Sequence, residues 1–443
     1  MLVKQARNSG DNTLPLANVQ QPFPDQAMPQ PEPIADKPPK PPDLLSLTDQ
    51  QLSSVAGFAT MDADAFTNDD IVPFEQLAFD VNTHETKHSS AQLMAAFRHQ
   101  PPPLRTHDVF GCECYVLGAG SFGSTVIATR HQSICAVKAL HPRIVHDSLQ
   151  RGKFREEALL LKRLTTEQQK AGACYVPSFQ GFGHVPLRIG EAILHVPFVA
   201  MQMQAFTLRQ FMKANWAKLA AGGNSTQAAS WKLLSNMALG VAHALHWLHE
   251  DQHVLHGDLK SSNVWWNKGV SAGLMDFGMA KPLTKGTQGP ATASVRKHAA
   301  PLKYWLAPEC LQEQGILKGR GQHHINVSAA FDWWGFGCLL VELLYCVNVA
   351  NKENNNHEMR PWRQAIRPAI LQSYNHIKLS TLNGSLATSM LSLIESMLQQ
   401  DPWRRPKGDL ILQVLTKLKS FSHKPTTKTK PKPKPKRKHS ESR

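Results

Sequence analysis

Gly118-Ala119-Gly120-Ser121-Phe122-Gly123-Ser124-Thr125-Val126, followed by Ala136-Val137-Lys138, is the stretch on which the reading of this chain turns. Closely spaced glycines mark a turn whose N–H groups can approach a ligand, because no Cβ stands in the way. The residues just after the glycines decide the fold. A dinucleotide-binding fold places a helix directly after such glycines. Here the β-branched run Thr125-Val126-Ile127 comes next, which favours a second strand. The stretch therefore reads as a hairpin, 114–117 and 124–128, with 133–138 as the next strand. A lysine in an apolar strand ordinarily snorkels to solvent. Behind a hairpin that covers phosphates, Lys138 reads instead as a cation for the α- and β-phosphates. Leu117 and every position from Gly118 to Val126 are candidates to lie over the nucleotide.

Working outward, a lysine so placed needs an anion. Glu157 lies on a stretch whose Leu160, Leu161 and Leu164 share one helical face, and its neighbour Glu156 is the alternative. A helix is expected over 154–164. The apolar run 194–203 reads as a buried strand. A long helix is expected over 230–249, with Leu233, Leu234, Met237, Val241, Leu245 and Leu248 at helical spacing. Strands dominate the first part and helices the second, ending near residue 418. That order predicts an α+β protein with a small sheet-rich lobe and a larger helical lobe.

Two further stretches carry the chemistry. The first is His256-Gly257-Asp258-Leu259-Lys260-Ser261-Ser262-Asn263, and the second is Leu274-Met275-Asp276-Phe277-Gly278. Phosphoryl transfer asks little covalent help of a protein; it needs an oriented nucleophile and neutralised phosphate charge. Asp258 can accept the hydroxyl proton. Asn263 and Asp276 offer hard oxygen ligands that suit Mg²⁺. Lys260 can offset charge on the group in transfer.

Together these residues resemble the protein-kinase signature set of glycine loop, strand lysine, catalytic loop, D-F-G and A-P-E, the last present as Ala307-Pro308-Glu309. Asp332-Trp333-Trp334-Gly335-Phe336-Gly337 is similar to the family's D-x-W-x-x-G. Asp401-Pro402-Trp403-Arg404-Arg405-Pro406 is similar to its late D-P-x-x-R-P. The resemblance covers roughly 111–420. It implies a two-lobed kinase fold, Mg-ATP as cofactor, protein substrates and an Arg405–Glu309 ion pair. It also implies that the adenine docks against the strand 194–203, with Met201, or else Ala200, controlling the back of that pocket and Met203 bordering it.

The chain departs from the family in two places. Gly257 stands where most members carry the arginine that binds a phosphorylated activation segment. The segment before A-P-E lacks the usual threonine, and Trp305 falls where tyrosine kinases often have tryptophan. Lys260 resembles the Ser/Thr type of catalytic loop, so serine and threonine are the expected acceptors. Tyrosine or dual specificity and a pseudokinase scaffold are the alternatives. Such departures occur in divergent members, some of them viral.

The flanks read differently. Residues 1–105 are rich in Pro, Gln, Asn and Asp and are expected to form a mostly disordered arm without a core of its own. Residues 421–443 read as a disordered Lys/Pro tail. From Lys424 to Arg443 there are nine Lys or Arg and one Glu, so 9 − 1 = +8 of the chain's formal +15 sits there. An import receptor or nucleic acid would be its natural partner. No apolar run is long enough to span a membrane. The first residues lack the apolar centre of a secretory signal, and the seven cysteines are irregularly spaced. The expected location is intracellular, cytoplasmic or nuclear, with reduced thiols.

Overall fold

In a computed structural model of the chain, the residues described are 66–79, 105–109, 112–120, 122–131, 133–189, 192–204, 206–212, 224–267, 271–284, 291–296, 307–310, 324–350 and 384–421. The candidate Ser121, the stretch 301–306, most of the arm and the basic tail lie outside them.

Six antiparallel strands form the first layer. They are β1 (Arg105–Val109), β2 (Cys112–Ala119), β3 (Gly123–Arg130), β4 (Ser133–Leu140), β5 (Phe179–Ile189) and β6 (Ala192–Gln202), in the order β1-β2-β3-β4-β6-β5. The three strands expected around the glycines are β2, β3 and β4. β5 was not foreseen, because Gly181, Gly183 and Pro186 break its pattern. Between β4 and β5 runs helix α1 (Ser148–Lys170). It starts six residues before the expected 154 because Asp147 caps it, accepting hydrogen bonds from the N–H groups of Leu149 (2.9 Å) and Gln150 (3.2 Å).

The second part is mainly helical. Its helices are α2 (Asn224–His246), α3 (Ala330–Ala350), α4 (Gly384–Met397) and α5 (Gly408–Phe421), with short strands before α2 and between α2 and α3. These are β7 (Phe206–Thr207), β8 (Val254–Leu255), β9 (Val264–Asn267), β10 (Ser271–Leu274), β11 (Lys281–Pro282), β12 (Thr292–Arg296) and β13 (His324–Ser328). The expected end of α2 near 249 falls in a π-turn, Trp247–Asp251, which continues the helix. Helix α3 is buried on all sides from Phe331 to Leu343, so it is the axis on which this lobe is built. No described helix is long and apolar enough to cross a membrane.

One domain boundary needs correction. Residues 66–79, placed in the mostly disordered arm, are folded onto the sheet, with Phe66, Val72, Leu77 and Phe79 buried in the common core. The segment has no core of its own, as its composition implied, but it borrows one. Ile71 bridges to Phe182 and Ala78 to Thr129. β1 likewise begins at Arg105, before the expected domain start at 111, because it pairs with β2 in a five-residue register.

Candidate active site

The strand register sorts the candidate side chains by the face of the sheet they occupy. Directly paired residues point to one face of a sheet, and successive residues alternate. Lys138 pairs with Thr125 on β3 and Val199 on β6; Ala136 pairs with Ile127 and Met201. These six positions share one face. Met201 therefore belongs with Lys138, whereas Ala200, opposite Val137, points the other way. The same count corrects Val126. It lies opposite Val116 and Val137, faces away from Lys138 and is fully buried. Ile127 takes its place on the Lys138 face. It packs with Leu117, Met203, Tyr115, Ile134 and Phe206 in an apolar cluster apart from the main core. Sequence reading missed Ile127, although counting alternate positions back from Lys138 would have found it.

The hairpin tip is open. Gly120 N–H donates to Gly123 O (2.9 Å), and a Cβ on Gly118 or Gly120 would meet nothing within 4 Å. Phe122 is 58% exposed. Gly123 differs, since a Cβ there would stand 2.0 Å from Ala139 O.

Behind the hairpin, Lys138 Nζ donates to Glu157 Oε1 (2.6 Å) and Asp276 Oδ1 (2.8 Å). Of the two adjacent glutamates, it is Glu157 that α1 delivers. Burial alone would depress the Lys138 ammonium, yet the two carboxylates outweigh it and hold its pKa above the ordinary lysine range. Burial likewise opposes ionisation of Asp276, but Lys138 wins and keeps that carboxyl below its usual range. Asp276 has φ +65°, a backbone state a non-glycine residue holds only when its surroundings impose it. Phe277 is buried with its ring 5.3 Å from that of His256, which seats the turn.

The loop His256–Asn263 is organised from below. Asp332, on α3, accepts from the backbone N–H of His256 (2.7 Å) and Gly257 (2.9 Å), and from His249 Nε2 (2.8 Å). Burial opposes charge on Asp332; the His249 hydrogen bond and the backbone donors overcome it and hold the pKa below the usual carboxylate range. Ser261 Oγ donates to Glu342, also on α3 (2.8 Å). On this base Asp258 Oδ2 accepts from Lys260 Nζ (2.6 Å) and Asn263 Nδ2 (3.2 Å). Asn263 Nδ2 also donates to Asp258 O (2.9 Å). With its nitrogen turned to Asp258, Asn263 has its amide oxygen engaged by a long contact from Ser262 Oγ (3.4 Å), and that hard oxygen fits the donor set expected with Asp276.

Gly257 has a backbone reason of its own. Its φ is +78°, and a Cβ would meet Met279 O at 2.6 Å. Farther out, Arg405 donates to both carboxylate oxygens of Glu309 (2.8 and 2.7 Å) and lies 5.0 Å from the centre of the Trp334 ring. The expected ion pair is therefore present, and bidentate.

With the geometry in place, similarity gives the class. The family model described as the protein kinase domain matches residues 187–416, just over half of the chain, and the chain belongs to that family. Cold-responsive protein kinase 1 of Arabidopsis thaliana is 27% identical over 223 residues, 47% of this chain and 52% of that protein. The probable serine/threonine-protein kinase PBL17 of the same plant is 27% identical over 199 residues, 43% and 41% respectively. Dual specificity protein kinase shkE of Dictyostelium discoideum is 23% identical over 341 residues, 76% and 40%. The chain thus spans about half the length, or less, of these relatives. The family match begins at 187 and does not reach the hairpin, Lys138 or Glu157, which the sheet register and the ion pairs bring to the site.

Proposed function

We infer that the chain is an active protein kinase that transfers the γ-phosphoryl group of Mg-ATP to serine and threonine hydroxyls of protein substrates. The observation that carries this reading is the ion-pair chain from Glu157 through Lys138 to Asp276, made across residues far apart in sequence. Lys138 is held charged and aimed where α- and β-phosphates would lie beneath the hairpin. Leu117, Met201 and Met203, with the buried Ile127 behind them, offer the adenine an apolar seat. Asp258, fixed by Lys260 and Asn263, is placed to accept a proton from the acceptor hydroxyl and to aim its oxygen. Lys260 can then stabilise the phosphoryl oxygens. When bound through Asn263 and Asp276, Mg²⁺ would neutralise phosphate charge.

Lys260 supports serine and threonine as acceptors, and so does similarity to a probable serine/threonine-protein kinase. The dual-specificity relative keeps tyrosine in the test. Incubation with radiolabelled ATP and a mixed protein panel should label substrate, and phosphoamino-acid analysis should return phosphoserine and phosphothreonine. Phosphotyrosine would change the acceptor class. Equal labelling by Lys138→Met would overturn the assignment of Lys138, and no labelling by wild type would make the chain a scaffold. The tail 421–443 is read as a contact for an import receptor or nucleic acid, with a nuclear location to match. Its deletion should leave peptide phosphorylation unchanged and shift a fluorescent fusion out of the nucleus.

A further inference from the structure

Residues 66–79 grip the sheet and helix α1 together. The Phe66 ring stacks on Phe182 of β5, with centroids 4.4 Å apart and planes 8° apart. Phe154 of α1 lies 6.5 Å from that same Phe182 ring. Val72 N–H donates to Phe182 O (2.8 Å). Asp70 takes hydrogen bonds from Thr67 N (2.7 Å) and Thr67 Oγ1 (2.6 Å), which orient it, and pairs with Lys162 of α1.

Strand β5 is shaped to receive this segment. A Cβ on Gly181 would stand 2.0 Å from Val72 Cγ2, and one on Gly183 would stand 2.3 Å from Val72 O. Gly181 also has φ +148°, at a break in the register with β6. Two glycines in a strand otherwise weaken it; here they make room for the backbone of 70–72. The groove and its occupant are matched.

The consequence falls on Glu157. Phe154 lies three residues before it on α1 and Lys162 five residues after it. The segment therefore touches the helix, through Phe182 and through Asp70, on both sides of the residue that must meet Lys138 at 2.6 Å. We propose that residues 66–79 are an intramolecular brace that sets α1, with Phe66, Asp70 and Val72 acting as positioning residues for the Lys138–Glu157 pair. They touch no reacting atom and act through the helix. The proposal rests on the kinase reading for its kinetic effect, and its structural effect can be measured without nucleotide.

The test uses the full chain. Asp70→Lys and Lys162→Asp, each alone, should raise KM for Mg-ATP about tenfold, an effect near the upper range of energetic coupling through a packed network. The double exchange Asp70→Lys/Lys162→Asp should restore it. Phe66→Ala should behave like the single charge variants, and a synthetic peptide of residues 62–82 added in trans should recover the lost affinity. Hydrogen exchange without nucleotide should rise over 154–164 of α1 in each single variant and return to wild type in the double exchange. A lowered Tm with unchanged KM and unchanged α1 exchange would reduce the segment to ordinary packing and overturn the proposal. If wild type transfers no phosphate, the kinase reading fails, and the exchange pattern over α1 still decides for or against the brace.

Discussion

The loop His256–Asn263 and the hairpin Leu117–Thr125 both serve the site, yet they are held by opposite means. The loop stands on buried, charged side chains of α3: Asp332 fixes its backbone at His256 and Gly257, and Glu342 fixes Ser261. The hairpin is held by backbone alone, with Gly123 pressed on Ala139 O and Phe122 O accepting from His141 N–H (2.9 Å), and a Cβ on Gly118 or Gly120 would meet nothing within 4 Å. Groups that must aim a proton or a metal need fixed geometry, because small displacements cost rate steeply. Groups that cover a nucleotide need room to open and close. One site thus combines a rigid floor with a soft cover.

The contrast can be broken most severely at Asp258. Asp258→Asn should lower kcat by roughly 10²–10⁴-fold, the usual worth of a positioned general base. Nucleotide affinity should stay near wild type, since Asp258 acts on the acceptor. Titration with a fluorescent nucleotide beside steady-state rates would show this; equal losses in both would contradict the division of labour.

Next is the anchor itself. Asp332→Asn removes the charge from a carboxylate whose Oδ2 accepts from His256 N–H and His249 Nε2 and whose Oδ1 accepts from Gly257 N–H. Breaking such a buried pair should cost about 3–5 kcal/mol, read as a lower urea midpoint at unchanged slope. Its pH dependence has a definite sign. The folded-state pKa of Asp332 is depressed, so its contribution is fully present above the unfolded carboxylate pKa of about 4 and fades as pH falls through the lower folded value. The gap between wild type and Asp332→Asn should therefore be flat from pH 5 to 8 and close in acid.

Within the hairpin the glycines should separate. Gly123→Ala forces a Cβ onto a backbone carbonyl and should destabilise by about 1–3 kcal/mol. Gly118→Ala and Gly120→Ala enter open space and should change stability by less than about 0.5 kcal/mol. Similar melting temperatures for all three variants would remove the distinction between root and tip.

The smallest effect concerns the activation segment. Thr292–Arg296 of β12 pairs over five residues with His324–Ser328 of β13, immediately before α3, and Thr284 and Thr292 exchange backbone hydrogen bonds. Backbone pairing of this kind can order a segment without a phosphate, and Gly257 offers no donor to read one. Phosphatase-treated protein, and a variant with Thr284, Thr287, Thr292 and Ser294 all changed to Ala, should stay within about twofold of untreated activity, a barrier change under roughly 0.5 kcal/mol. Loss of most activity in both would make the segment a phosphate switch.

Much of the site was legible in the chain. Lys138, Asp258, Asn263 and Asp276 stand in short stretches whose local spacing carries the chemistry, and Arg405 meets Glu309 as the resemblance implied. Val126 and Thr125 were not distinguished, because a run of strand residues does not say which face is which until a partner strand sets the parity. Residues 66–79 were misread for a related cause. Their apolar side chains have no local periodicity, and their partners on β5 and α1 lie roughly a hundred positions away.

By itself, then, the sequence determined the elements around the glycines, the two-lobed order and the identity of the charged residues, since these depend on neighbours a few positions apart. Only the tertiary structure decided that Glu157 rather than Glu156 meets Lys138, that Ile127 rather than Val126 shares a face with Lys138, and that a piece of the arm packs on β5 and pairs with α1. Each of those depends on strand register, helix rotation or a groove between distant segments. A one-residue change would turn a strand side chain to the opposite face, and a helical one by about 100°, without altering the motif that names it.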